Sequence, residues 1–137
     1  CCKVTHLAPR NADGTLNVKN IKVTMKKFME YGVSDRVIIH CCEGGFALDR
    51  SGNFTFVPSL ELPDGYIKGS VGAGDAFAAG CLYALYNGYD DKHMLEFASS
   101  AAAMSLSEPD AVSGMRSREK IEAFGKKYKR REENFLI

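Results

Sequence analysis

The segment at residues 70–77 constrains the chain most, because it joins a glycine-rich turn directly to an apolar-periodic stretch. Apolar side chains recur at helical intervals from Ala76 to Leu85, and Asn87-Gly88 then predicts a left-handed end to the helix. The small residues at 72–74 allow backbone N–H groups to converge, and the first turn of a helix leaves further donors unpaired. We therefore expect an anionic group to bind where this helix begins.

Asp75 lies at the same helix start, where the helix dipole favours an ionised carboxylate. In phosphoryl transfer such a carboxylate accepts the proton of the attacking hydroxyl, while nearby amides stabilise charge on the transferred group. The segment thus indicates Asp75 as a general base, with the amides of Gly72, Ala73 and Gly74 as an anion hole.

Three other interpretations of this loop differ in how well they fit the sequence. It can be a plain helix start in which Asp75 is the N-cap. A dinucleotide-binding G-x-G-x-x-G fits poorly, because its third small position falls on Phe77 and residues 65–71 make a poor strand. A Walker A loop is excluded, because no Gly-Lys-Ser/Thr follows the glycines.

The rest of the chain predicts an α/β fold, in which a central sheet is flanked by helices. Helical periodicity at residues 18–31 leads into a β-branched run at residues 36–40, the pattern of a strand buried on both faces. The other expected elements are a short extended piece at 3–8, hairpin-linked strands at 46–48 and 54–57, and helices at 91–107 and from 117 onward. With 137 residues, of which 45% are hydrophobic, we expect a single domain over residues 1–137.

The charge, hydrophobicity and cysteine spacing of the chain indicate which kinds of ligand or partner it can bind. The formal net charge is +1, and the basic run at 126–131 adjoins Glu132 and Glu133, which favours a solvated face over a nucleic-acid site. No apolar stretch approaches the roughly 20 residues that cross a bilayer, so we expect no membrane association. Five cysteines and three histidines lack metal-binding or disulfide spacing, which predicts reduced thiols in the cytoplasm and no metal site.

From Ser70 to Gly80 the sequence resembles the C-terminal signature D-T-x-G-A-G-D-x-F of ribokinase-like (PfkB) carbohydrate kinases. The G-A-G-D core, the aromatic residue and the small residues that follow it all fall in order. The resemblance implies the C-terminal, nucleotide-binding part of a ribokinase-like fold. It also implies that Asp75 activates a sugar hydroxyl, that the amides of residues 72–75 form the anion hole, and that ATP is the phosphoryl donor with Mg²⁺ bridging its phosphates.

Two flanking segments resemble the family more weakly. Residues 37–48 look like its strand–turn–strand T-x-G-x-x-G, where Gly45 matches the second glycine, whereas His40 and Cys42 replace the threonine and the first glycine. Residues 97–103 look like its alanine-rich helix beside the adenine, with Ser99 at the common Asn position. Plain small-residue packing explains that helix equally well. Gly45 and Ser99 are therefore the candidate nucleotide-binding residues.

The chain also departs from the family. Gly69 and Ser70 stand where the signature has Asp and Thr, and no N-x-x-E is present, so the Mg²⁺ ligands are not identifiable. Family members are about twice as long and carry a sugar-binding N-terminal half with a lid, which this sequence lacks.

We expect the chain by itself to be inactive, because nothing in it orients a sugar. The expected ligands of the intact protein are ATP and a small sugar, and the resemblance allows a homodimer. Other readings are a nucleotide- or anion-binding module without catalysis, a degenerate kinase fragment, and a structural or partner-binding α/β domain.

Overall fold

Three short strands form the centre of the fold, and helices cover both faces. The computed structural model describes residues 2–132. The elements in chain order are α1 Cys2–Thr5, α2 Val18–Glu30, β1 Arg36–Cys41, β2 Gly44–Asp49, β3 Phe54–Pro58, α3 Ala73–Tyr86, α4 Asp91–Ser105 and α5 Arg118–Lys127. This arrangement confirms the predicted α/β class.

The sheet is antiparallel in the order β1-β2-β3, and its alternating side chains feed two cores. Phe46 and Leu48 face α2, where they pack with Met25, whereas Ala47 between them packs against α3 and α4. Side chains of β1 also enter both cores, as predicted, but they are only partly buried. The reason is that β1 is an edge strand of the described sheet.

The N-terminal segment differs from the prediction. Residues 3–8 were expected to be extended, whereas α1 makes residues 2–5 helical. Thr5 is buried, and its hydroxyl lies 3.1 Å from the hydroxyl of Thr24 on α2. A tertiary contact therefore determines this segment, which has no periodicity of its own.

The last basic run is not wholly a solvated face. Arg130 is half-buried, and its guanidinium donates to the Pro58 carbonyl at 2.7 Å and to the Glu96 carbonyl at 3.3 Å. The chain on either side of Arg130 pairs with residues 59–61 through backbone hydrogen bonds. This segment thereby connects α4 to the end of β3.

Within residues 2–132, no helix is long and apolar enough to cross a bilayer.

Helices α3 and α4 approach closely because small residues line their contact. A Cβ atom at Gly80 would lie 2.7 Å from Ala98 Cα and 3.2 Å from Ala98 Cβ. The sheet side of α3 uses the same device, since a Cβ atom at Gly45 would lie 2.9 Å from the Phe77 ring. Because Gly45 and Gly80 lack side chains, α3 can pack closely on both the sheet and α4. This close packing fixes the position of the glycine loop that precedes α3.

This packing predicts that Gly80→Ala destabilises the fold. The added methyl group would push α3 away from α4, so we expect the free energy of unfolding in urea to fall by about 1–3 kcal/mol. Gly74→Ala is the matched control, because it makes the same substitution in the same helix with nothing within 4 Å of the new atom. Equal free energies of unfolding for the two variants would contradict the proposed close approach.

Candidate active site

The glycine loop enters α3 through a left-handed residue. Gly72 is the N-cap, with φ of 81°, and a Cβ atom there would lie 2.6 Å from Ala111 Cα. Both its backbone conformation and its surroundings therefore require glycine. Asp75 lies three residues later, in the first turn, and no side chain caps this helix. The interpretation of Asp75 as an N-cap is therefore wrong.

The first-turn amides are only partly used by the protein itself. The Ala73 N–H donates to the Ser70 carbonyl over a long 3.3 Å, and the Ala76 N–H donates to the Gly72 carbonyl at 2.8 Å. In the described part of the chain, no protein acceptor is found for the N–H groups of Gly74 and Asp75. The N–H of Gly72, the first residue of the predicted set, likewise has no acceptor among the described residues, so the open donors are those of Gly72, Gly74 and Asp75.

The space beside these donors is open. Gly74 and Asp75 are both exposed, and a Cβ atom at Gly74 would meet nothing within 4 Å. Between residues 2 and 132, no ion pair or hydrogen bond engages the Asp75 carboxylate. A carboxylate and two unpaired N–H groups therefore share one accessible helix end.

The loop that follows α4 packs against the glycine loop. The Lys68 N–H donates to the Leu106 carbonyl at 2.8 Å, and a Cβ atom at Gly69 would lie 2.8 Å from Pro109 Cα. Gly69 is the position at which the kinase signature has Asp. Because the backbone of Pro109 closes this position, the departure from the signature is built into the packing of the two loops.

Gly45 and Ser99 occupy different environments from each other. Gly45 is buried in β2, where its missing side chain admits Phe77 and Leu95, so its visible role is to let the helices pack on the sheet. Ser99 is only 5% exposed, and its hydroxyl has no hydrogen-bond partner within residues 2–132. An unpaired buried hydroxyl is costly, which makes Ser99 the candidate with an unexplained polar group.

His40, which stands at the threonine position of the T-x-G-x-x-G motif, packs on α3. Its ring stacks on Phe77 with centroids 3.9 Å apart and planes 6° apart. Partial burial of the ring lowers the pKa of His40. The available sequence signal was its place at the carboxyl end of β1, opposite Gly45.

The hairpin turn after His40 is anchored by a charged cluster that sequence reasoning missed. Arg10 donates to both carboxylate oxygens of Glu43, at 2.7 and 3.1 Å. Those hydrogen bonds lower the pKa of Glu43 to about 2. Arg10 and Glu43 are 33 residues apart, so no local sequence pattern predicts that they form a pair.

A cavity of about 690 Å³ lies elsewhere, between α4 and α5. It is lined by residues that include His93, Ser100, Lys126 and Arg130, and by none of the candidate site residues. Across residues 2–132, no group of three or more His, Cys, Asp or Glu side chains is arranged to hold a metal ion. The residues present therefore fit an anion at the start of α3, but they do not form a protein cage for Mg²⁺.

Comparison with known proteins adds independent findings. The profile described as pfkB family carbohydrate kinase matches residues 9–118. A 5-dehydro-2-deoxygluconokinase of Geobacillus thermodenitrificans is 33% identical over 101 residues, which is 74% of this chain and 29% of that protein. The chain spans between 29% and 32% of the length of the curated relatives it matches.

Solved structures show the same fold. Ribokinase from Thermotoga maritima aligns with a TM-score of 0.67 and 27% identity, over 77% of this chain and 34% of that one. An Escherichia coli protein described as a putative ribokinase II, in complex with ATP and Mg²⁺, aligns with a TM-score of 0.69 and 21% identity, over 91% of this chain and 37% of that one. The three-stranded sheet and its helices are thus part of a ribokinase fold.

Proposed function

Because this chain belongs to the pfkB family of carbohydrate kinases, we propose that it takes part in transfer of the ATP γ-phosphoryl group to the hydroxyl of a sugar or related small molecule. The observation that carries the proposal is the start of α3, where the Gly74 and Asp75 N–H groups are unpaired beside an exposed carboxylate. Phosphoryl transfer needs this combination of an anion-stabilising backbone and a nearby base.

In this proposal the helix start holds the transferred phosphoryl group. The open N–H groups and the helix dipole stabilise its negative charge. Asp75 accepts the proton of the attacking hydroxyl, and its exposed position leaves it accessible to a substrate. Gly72 and Ala73 shape the turn that orients these donors, through the left-handed conformation of Gly72 and the bond from Ala73 to Ser70.

We assign ATP as the donor on the strength of the family and of the fold neighbour that holds ATP and Mg²⁺. The buried Ser99 hydroxyl is the candidate adenine contact, since a bound base would supply the hydrogen-bond partner it lacks. Gly45 contributes indirectly, because it lets Phe77 and Leu95 seat α3 and α4 on the sheet.

We further propose that residues 1–137 form the ATP-binding part of a kinase whose sugar-orienting groups lie outside this chain. Its match to less than a third of each curated relative supports this division. The free thiols of Cys41, Cys42 and Cys81 suit the reducing cytoplasm.

The direct test is a phosphoryl-transfer screen with ATP and Mg²⁺ across sugars and sugar acids. The first substrate to try is 5-dehydro-2-deoxygluconate, which the names of the curated relatives imply. The assay is run on the chain alone and on the longest gene product that contains it. We expect turnover only in the longer protein, because a positioned acceptor is required for transfer.

A non-catalytic nucleotide-binding module is the second candidate. One observation favours it: the backbone of Pro109 closes the position at which the signature has Asp. Binding of ATP without turnover of any substrate in the longer protein would select this candidate over the kinase.

A further inference from the structure

The cavity between α4 and α5 has the size of a small-molecule site. Its volume of about 690 Å³ lies within the range of about 300–1,000 Å³ that such sites occupy. The two helices touch at one end of it, where a Cβ atom on Gly125 would overlap the Ser100 hydroxyl. Tyr89 and Phe97 add aromatic rings to its lining. The cavity therefore combines apolar surface with the charged groups considered next.

Arg130 brings a positive charge to the lining of this cavity without a paired carboxylate. Its guanidinium donates to the carbonyls of Pro58 and Glu96, and these bonds use two of its five N–H groups. Within residues 2–132 it makes no ion pair. Partial burial lowers the pKa of Arg130, although the charge of Glu96 opposes that shift. A half-buried guanidinium with N–H groups to spare is suited to an anionic ligand.

The other charged groups of the lining also favour an anion. Lys126 is a second cation that makes no ion pair in the described part of the chain. Of the three acids in the lining, Asp90 is engaged in the N-cap of α4, and Glu122 accepts from Arg118 at 2.8 Å. The third acid, Glu96, makes no ion pair within residues 2–132. Two available cations therefore line the cavity with one available carboxylate.

We propose that this cavity is a second ligand site, which binds a small polyhydroxylated anion such as a sugar acid or a sugar phosphate. The anionic group lies against Arg130 and Lys126. The Glu96 carboxylate accepts hydrogen bonds, so it suits a ligand that carries hydroxyl groups beside its anionic group. The site shares no residue with the start of α3, and the inference does not rest on the proposed function.

The ligand class is tested by calorimetric titration of the full chain with gluconate and with glucose 6-phosphate. Two further probes each lack one feature: glucose has hydroxyl groups without the charge, and hexanoate has a carboxylate without hydroxyl groups. We expect gluconate or glucose 6-phosphate to bind, and the tighter of the two identifies the anionic group. Glucose and hexanoate should bind at least about tenfold more weakly than that probe.

The location is tested with a matched pair of variants. Lys126→Gln removes one of the two cations, whereas Lys120→Gln makes the same change on the same helix outside the lining. Both lysines are exposed, so both variants should keep the melting temperature of the parent protein. We expect Lys126→Gln to weaken binding of the tighter probe about 3- to 10-fold, and Lys120→Gln to stay within about twofold.

Several results would overturn the proposal. Glucose or hexanoate binding as tightly as the anionic sugars would exclude the ligand class. Failure of both gluconate and glucose 6-phosphate to bind, or equal affinity in the two lysine variants, would exclude the site. Gly74→Ala provides a last check, because it alters the start of α3 and leaves the cavity unchanged. Loss of the anionic sugar in that variant would assign the ligand to the start of α3 instead.

Discussion

Asp75→Asn is expected to lower the rate of phosphoryl transfer by about 10²- to 10⁴-fold, the usual contribution of a positioned general base. The amide of Asn cannot accept the proton of the attacking hydroxyl. Binding should respond differently, because removing a negative charge next to a bound phosphate removes a repulsion. We therefore expect a lower kcat together with an unchanged or lower dissociation constant for ADP.

This division between rate and affinity distinguishes a base from a structural residue. Asp75 is exposed and makes no ion pair within residues 2–132, so its replacement should change stability little. Asp64→Asn is the control, since Asp64 is also exposed and its replacement changes the net charge equally. The assay is steady-state sugar phosphorylation by the longer protein. A kcat for Asp75→Asn within about threefold of the parent value would show that this carboxylate is not the base.

The elements that could be predicted from the sequence are those with strong local periodicity. Helices α3 and α4 begin and end close to their predicted residues, because apolar stripes, Gly88 and the N-cap Asp90 all carry local information. The β2–β3 hairpin was recognisable from two short apolar runs on either side of a turn. By contrast, α1 depends on a buried contact between Thr5 and Thr24, which no short window of sequence contains.

The candidate site likewise has some features that could be predicted from the sequence and others that could not. Its location at the glycine loop was predictable, because Gly72 and Asp75 lie in one short segment. Which amides remain open was not, since that depends on the left-handed turn at Gly72 and on the bond from Ala73 to Ser70. The stack of His40 on Phe77 joins residues 37 positions apart, so it is a property of the packed sheet rather than of either motif.

Gly45 illustrates how one residue type serves two explanations. The motif suggested a glycine that approaches a nucleotide, while the structure places it against Phe77 and Leu95. Sequence alone does not distinguish these roles, because both require only the absence of a side chain. The role of Ser99 likewise depends on a buried hydroxyl without a partner within residues 2–132, a feature visible only once the surroundings of α4 are known.

Gly74→Ala is expected to separate phosphate binding from folding. Nothing lies within 4 Å of the added methyl group, and Ala is a better helix former than Gly by up to about 1 kcal/mol. The melting temperature should therefore stay the same or rise. The methyl group would nevertheless enter the open space beside the Gly74 and Asp75 N–H groups, where the proposal places a phosphate, and we expect ADP and tripolyphosphate to bind at least about tenfold more weakly.

The comparison that gives this result its meaning is Gly72→Ala. There the φ of 81° and the contact of 2.6 Å with Ala111 make any side chain disruptive, so loss of binding would accompany a loss of about 1–3 kcal/mol of stability. At Gly74 stability and binding should instead change in opposite directions, a pattern that misfolding cannot produce. Calorimetric titration beside thermal unfolding measures both quantities on the same samples. If Gly74→Ala binds tripolyphosphate as tightly as its parent, the phosphate does not approach the start of α3. Asp75 would then lie too far from the transferred phosphoryl group to act as the general base.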